Sequence, residues 1–163
     1  MRYEIREARP DELPAVSELC RLAYDRMSSG LAPEDRETIM ALVGDAETRA
    51  REGVVLVAMD GDRVAGTVSY YAPETVRNPR FEHDWALVRI LGVHPDYREQ
   101  GIAGVLMDEC VKRARADDAT AVALQTSELT PVAVAMYQKR GFKRRMEFPQ
   151  YDRRYWVYVL SLD

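Results

Sequence analysis

Apolar positions along the chain switch repeatedly between a spacing of two and a spacing of three to four, and the switches mark its elements. Tyr3-Glu4-Ile5-Arg6 alternates and predicts a short first strand. Leu13, Val16, Cys20 and Ala23 then recur at helical spacing, with Asp11 placed to cap the helix and Glu12 favourable in its first turn. Ser28-Ser29-Gly30 ends that stripe. A second helix is expected from Pro33-Glu34-Asp35, carrying Ile39, Leu42, Val43, Ala46 and Ala50 on one face and stopping at Gly53.

Val54 to Met59 and Val64 to Tyr71 flank Asp60-Gly61-Asp62, which predicts two strands joined by an Asp-Gly turn. Pro73 to Pro79 reads as loop and Trp85 to Val93 as a long apolar strand. A helix is expected from about Gly101 to Ala116, a buried strand over Ala121 to Thr126, and a helix from Pro131 to Arg140 ended by Gly141. Arg144 to Phe148 and Tyr155 to Leu162 make a closing pair of strands. The order β-α-α-β-β-β-α-β-α-β-β predicts an α/β fold with a mixed, mostly antiparallel sheet of about seven strands and helices on both faces. No repeat or linker interrupts it, so residues 1–163 are expected to form one domain.

Composition narrows the picture. With 47% hydrophobic and 31% charged residues, the 163-residue chain reads as a soluble globular protein. A formal charge of −4 argues against nucleic-acid binding. The opening residues through Arg6 hold no signal-peptide core, and the apolar run Val54 to Met59 is too short to span a membrane, so a cytoplasmic location is expected. Cys20 and Cys110 each fall in an apolar helical pattern and read as free buried thiols. Two His and no Cys cluster predict no metal site.

The stretch Leu91-Gly92-Val93-His94-Pro95-Asp96-Tyr97-Arg98-Glu99-Gln100-Gly101-Ile102-Ala103-Gly104 is an apolar strand, a turn and a glycine-rich helix start. The first amides of a helix lack internal partners and carry the positive end of its dipole. Small residues at 101, 103 and 104 let an anion approach, and Arg98 adds charge, which describes a phosphate cradle. The glycines alone fit an ordinary tight strand-to-helix turn equally well. Neither a dinucleotide Gly-x-Gly-x-x-Gly nor a Walker-type Gly-Lys motif is present.

Arg98-x-x-Gly101-x-Ala103 resembles the Arg/Gln-x-x-Gly-x-Gly/Ala motif of the GCN5-related N-acetyltransferases, and Leu91-x-Val93-x-Pro95 stands where that family has its strand-to-loop signature. Downstream, Ala133-x-x-x-Tyr137-x-x-x-Gly141-Phe142 resembles the family's second signature, and the element order matches along essentially the whole chain. The resemblance implies acetyl-CoA as donor and an amine, small-molecule or peptide, as acceptor. The pyrophosphate would rest on the amides of Arg98, Glu99, Gln100, Gly101, Ile102, Ala103 and Gly104. The pantetheine arm would pair with the backbone around Leu91, Gly92 and Val93, where the family's strand splays from its parallel neighbour. Homodimers are common among such relatives.

Relatives transfer the acyl group directly to the bound amine, and Tyr137 matches the tyrosine they use as general acid for the departing thiolate. A phenol with a pKa near ~10 stays protonated at neutral pH and can serve. As residues alone, Tyr137 equally suits packing beside Val134 and Phe142. Thr130 replaces an Asn that many relatives carry, so its hydroxyl either contacts the cofactor arm or caps a helix. Leu87 stands where some relatives place a glutamate base, which leaves Glu82, His83 and Asp84 as candidate bases acting through water, or as a solvated loop. This departure keeps a second function open, a catalytically idle CoA-binding sensor or regulatory module.

Arg89 is the only charged residue within Trp85–Val93. Alternation places it on one face with Leu87 and Leu91 unless a bulge intervenes. If that strand is covered on both faces, the guanidinium needs an anion, either a loop acid such as Glu82 or Asp84 or an anionic group on the acceptor.

Overall fold

In the computed structural model, which describes residues 2–163, every strand joins one sheet. The elements are β1 (Glu4–Glu7), α1 (Leu13–Ser28), α2 (Pro33–Val43), α3 (Ala46–Glu52), β2 (Val54–Asp60), β3 (Arg63–Tyr71), β4 (Trp85–Val93), α4 (Ile102–Ala116), β5 (Ala121–Ser127), α5 (Pro131–Lys139), β6 (Lys143–Gln150) and β7 (Arg153–Ser161). Short 3-10 turns cover Pro10–Glu12 and Pro95–Tyr97.

Two early expectations are corrected. The helix expected from Pro33 to Gly53 breaks at Gly44-Asp45, because the Asp45 carboxylate accepts from the Thr48 amide at 3.2 Å and starts α3 afresh. Asp11 does not cap α1. It lies in the 3-10 turn, and the neighbouring Glu12 carboxylate accepts from the Arg9 amide at 2.7 Å.

The sheet order is β1-β2-β3-β4-β5-β7-β6. All neighbours are antiparallel except β4 and β5. The α1–α3 helices cover one face through Val16, Cys20, Ile39 and Val43 against Val55, Val57 and Met59. On the other face, Leu106 and Cys110 of α4 and Tyr137 of α5 lie against Leu56, Val68, Val88 and Tyr158. Both cysteines are free and buried, and desolvation raises their thiols to about 11 and about 12.

Two irregularities interrupt the regular pairing of β4. It pairs with β5 only at Trp85↔Ala121, Ala86↔Val122 and Leu87↔Ala123. Beyond these, β4 keeps β3 as far as Val93 while β5 keeps β7 through Ser127, so the parallel strands part and leave backbone groups facing a gap. Between Ser69↔Arg89 and Thr67↔Gly92, Val68 opposes both Ile90 and Leu91, a bulge in which Ile90 takes φ 55°. The bulge breaks the expected face-sharing: Leu91 joins the α4 core and Ile90 the α1 core. Arg89 is also exposed, not covered, because β5 has already turned away.

Candidate functional site

The loop after β4 is held by the β2–β3 hairpin. Buried Tyr97 donates to the Asp60 carboxylate at 2.7 Å, Arg63 pairs with Asp96 at 3.3 Å, and the Tyr3 hydroxyl meets the Gln100 side-chain carbonyl. His94 accepts from the Asp96 amide at 3.1 Å and serves the turn. The chain then passes through left-handed Glu99 (φ 63°) and Gly101 (φ 79°) into α4. Gly101 stands at the N-cap without a side chain to occupy the first amides, and a Cβ built there meets nothing within 4 Å. The amides of Ile102, Ala103 and Gly104 therefore have no side-chain cap at the positive end of a 15-residue helix, and the space beside Gly101 is open. Arg98 is exposed at this lip. Arg140, at the end of α5, lies over Gly104, where an added Cβ would come within 2.8 Å of its Cζ, and pairs with Asp108 at 3.1 Å.

Three tyrosines gather where β4 and β5 part. Tyr24 of α1 donates its hydroxyl to the Leu91 carbonyl at 3.0 Å. Burial raises its pKa above the ordinary tyrosine range, and Tyr137, Cys20 and Tyr155 lie near enough to raise it further. Tyr137 of α5 is 6% exposed, with its ring centre 5.8 Å from that of Phe142. Its pKa is likewise raised, first by burial and then by Cys110. Among the described residues its hydroxyl makes no hydrogen bond. Tyr155 of β7 is pushed up to about 12, chiefly by burial. Thr130 precedes α5 without capping it. Its hydroxyl lies 3.4 Å from the Ser127 carbonyl and 3.1 Å from the Thr126 hydroxyl.

A family model described as the acetyltransferase (GNAT) family matches residues 15–142. The chain belongs to the GNAT acetyltransferases. No curated protein sequence matches it. Solved structures extend the likeness of the fold over nearly the full length. The PaiA N-acetyltransferase of Thermoplasma acidophilum, solved with coenzyme A, superposes with a TM-score of 0.78 at 17% identity, covering 99% of this chain and 100% of that one. A GNAT acetyltransferase of Brucella melitensis with acetyl-CoA gives 0.64 at 19% identity, covering 99% and 88%. The ribosomal-protein-S18-alanine N-acetyltransferase of Escherichia coli gives 0.70 at 16%, covering 98% and 93%.

Within this GNAT fold the expected site residues divide. Leu91, Gly92 and Val93 end β4 and residues 98–104 lead into α4, with Tyr24 bonded to Leu91 and Tyr137 in the same core cluster as Leu91. Glu82, His83 and Asp84 are not brought there. They precede β4, the Asp84 carbonyl accepts from the Thr120 amide at 3.1 Å, and His83 lies 3.7 Å from Glu74. At ~3.3 Å per residue, Asp84 stands roughly 23 Å of strand away from Leu91. Leu87 is 4% exposed and packs with Tyr71, Trp85 and Ala123. Arg89 forms no ion pair among the described residues, so neither Glu82 nor Asp84 satisfies it. Sequence reasoning placed Tyr24 at the start of an acceptor-contacting segment, Tyr24 to Ile39, but did not foresee its bond to Leu91, and it missed Arg140. Tyr24 lies just beyond the Leu13–Ala23 stripe, and only the crossing of α1 over β4 gives it a role. Among the described residues no cluster of metal-ligating groups occurs, and no helix is long and apolar enough to cross a membrane.

Proposed function

We propose that this GNAT chain transfers an acetyl group from acetyl-CoA to a primary amine by direct attack, with Tyr137 as general acid. The observation that carries the reading is the combination of three features: the parting of β4 from β5 after Leu87, the uncapped start of α4 at Gly101, and the unbonded Tyr137 hydroxyl. The cradle suits a pyrophosphate, since its amides are free and the space beside Gly101 is open. Arg98 and Arg140 supply compensating charge. Free backbone groups along Val88–Val93 suit an extended amide-bearing arm, although the Leu91 carbonyl already accepts one bond from Tyr24. Acetyl-CoA, when bound, supplies the activated acyl group and the thiolate leaving group.

Tyr137 holds its proton through neutral pH because burial disfavours the phenolate, so it can hand that proton to a thiolate. Tyr24 secures the strand edge that the arm would line. No carboxylate occupies the strand position of Leu87, which leaves amine deprotonation to water or to the acceptor's own equilibrium. That same buried leucine favours a second reading, an idle CoA-binding module.

Thermal unfolding with acetyl-CoA and with CoA, followed by thiol release over a panel of amines, tests both readings. A stabilising shift with amine-dependent thiol release supports the transferase. A shift without release supports the idle module, and no shift removes the cofactor assignment. A ligand at 100 times its Kd adds about 2.7 kcal/mol of stability.

A further inference from the structure

Directly opposed residues on paired strands face the same side, so Ser69 and Arg89 share a side with their diagonal neighbours Tyr71 and Leu87. On that side, under α3, the chain has collected donors without anions. Arg49 is 3% exposed. Its Nε donates to the Ser69 hydroxyl at 3.1 Å, and its Nη1 and Nη2 donate to the Leu42 and Val43 carbonyls at 2.7 and 2.9 Å, so its charge meets neutral partners only. Arg89 stands opposite Ser69 on β4, exposed and without an ion pair, its Cζ 5.9 Å from the Tyr71 ring centre. Tyr71 is 1% exposed, and Arg89 lies near its hydroxyl, but a guanidinium only donates, so among the described residues this enclosed phenol has no acceptor for its proton. The carboxylate with an influence here, Glu52, is exposed.

Two guanidinium groups and a phenol without an acceptor around one serine, in a chain of net charge −4, run against the average charge of the molecule. The backbone beside them is strained as well. The bulge turns Ile90, a β-branched residue, left-handed and puts it on the α1 side next to Arg89, an arrangement of the kind retained at binding sites. Arg89 precedes Leu91 by two residues, roughly 7 Å of strand, which is within one small molecule of the arm-binding edge.

We propose that the acceptor amine carries an oxyanion, a carboxylate or a phosphate, held by Arg89 and the Tyr71 hydroxyl beside the opening between β4 and β5. The inference rests on the acetyl-transfer reading and narrows its acceptor to small anionic amines. An oxyanion at Arg89 satisfies the guanidinium charge and gives the Tyr71 proton an acceptor. Arg49 is not a direct ligand: it is fully engaged, and it lends the site its field.

The test uses matched amines that differ in the anion alone: an amino acid against its methyl ester, and phosphoethanolamine against ethanolamine. The wild type is expected to prefer the anionic member of at least one pair, and which pair it is separates carboxylate from phosphate. Arg89→Met is expected to lower the anionic-to-neutral ratio of kcat/KM about tenfold or more, with acetyl-CoA affinity and Tm retained. Tyr71→Phe should lower the same ratio without lowering Tm, since it removes only a hydroxyl that has no acceptor. If no amine is acetylated although CoA binds, the transferase reading fails by itself. Calorimetry of the same amines with the CoA-loaded protein then decides the anion site: binding of an anionic member that Arg89→Met abolishes supports it. A wild type that prefers the neutral members, or fails to distinguish them in both turnover and binding, overturns the proposal. So does an Arg89→Met variant with an unchanged ratio.

Discussion

Tyr24 and Leu91 join α1 to the free edge of β4, the phenol donating to the main-chain carbonyl at 3.0 Å. That bond is made in the part of β4 that no longer pairs with β5, so a helix side chain fixes the strand where its parallel neighbour has left. Tyr24→Phe keeps the ring and removes the bond. A loss of about 0.5–1.5 kcal/mol is expected, the usual net worth of a hydrogen bond. At this chain length that corresponds to a Tm lower by about 1–6 °C. Acetyl-CoA affinity should weaken with it, because the Leu91 edge is less fixed. Unchanged Tm and affinity would leave Tyr24 without the positioning role.

Tyr137→Phe is expected to cut turnover by about 10²–10⁴ while acetyl-CoA affinity and Tm hold. Since burial raises the Tyr137 pKa above the ordinary tyrosine value, the wild type keeps its acid protonated throughout the neutral and mildly alkaline range. The deficit of the variant should therefore be the same at every pH up to about 9, measured as the ratio of kcat values. A deficit that closes as pH rises would point to a different acid.

At the cradle, Gly101→Val forces a branched residue into φ 79° and places its side chain in the space beside the α4 amides. A stability cost of about 1–2 kcal/mol is expected from the left-handed backbone, with a much larger loss of acetyl-CoA affinity. Gly104→Ala acts differently, because its methyl meets the end of a long, flexible arginine side chain. The fold should survive with Arg140 displaced, and cofactor affinity should fall most at low ionic strength, where that charge is least screened. Calorimetric titration at two salt concentrations reads both variants. An affinity unchanged in a folded Gly101→Val protein would remove the cradle.

Glu12 ties β1 to the start of α1 through two 2.8 Å bonds from Arg6, which together with the Arg9 amide hold its carboxyl down at about 2. The folded state therefore binds this proton more weakly than the unfolded state, whose pKa is near the ordinary glutamate value of ~4.3. The contribution is fully present above that unfolded pKa and is lost as pH falls through about 2. Glu12→Gln should be less stable than the wild type at pH 7, with the gap closing over that acid window in urea titrations. A gap that stays constant to pH 2 would mean the ion pair adds nothing.

Spacing alone determined most of the element order, since Val54–Asp60, Arg63–Tyr71, Trp85–Val93 and Ile102–Ala116 each carry a pattern strong enough to read without neighbours. The cradle was legible for the same reason: a strand, a turn and a helix start are local, and Gly101 announces its backbone by having no side chain. Tertiary structure alone decided the rest. The helix break at Gly44-Asp45 depends on a side-chain cap that competes only slightly with helix continuation. Arg89 reads as buried because its neighbours are apolar, yet strand coverage is a property of the adjacent strand, and β5 leaves after Leu87. Its separation from Leu91 depends on a bulge at Ile90, which leaves no mark in an apolar run. Tyr24, Tyr71 and Arg140 belong to elements distant in sequence, and their chemistry arises from which hydroxyls and charges find partners once the chain is folded. Periodicity records which face of an element is wetted, whereas the meeting of two elements depends on both together.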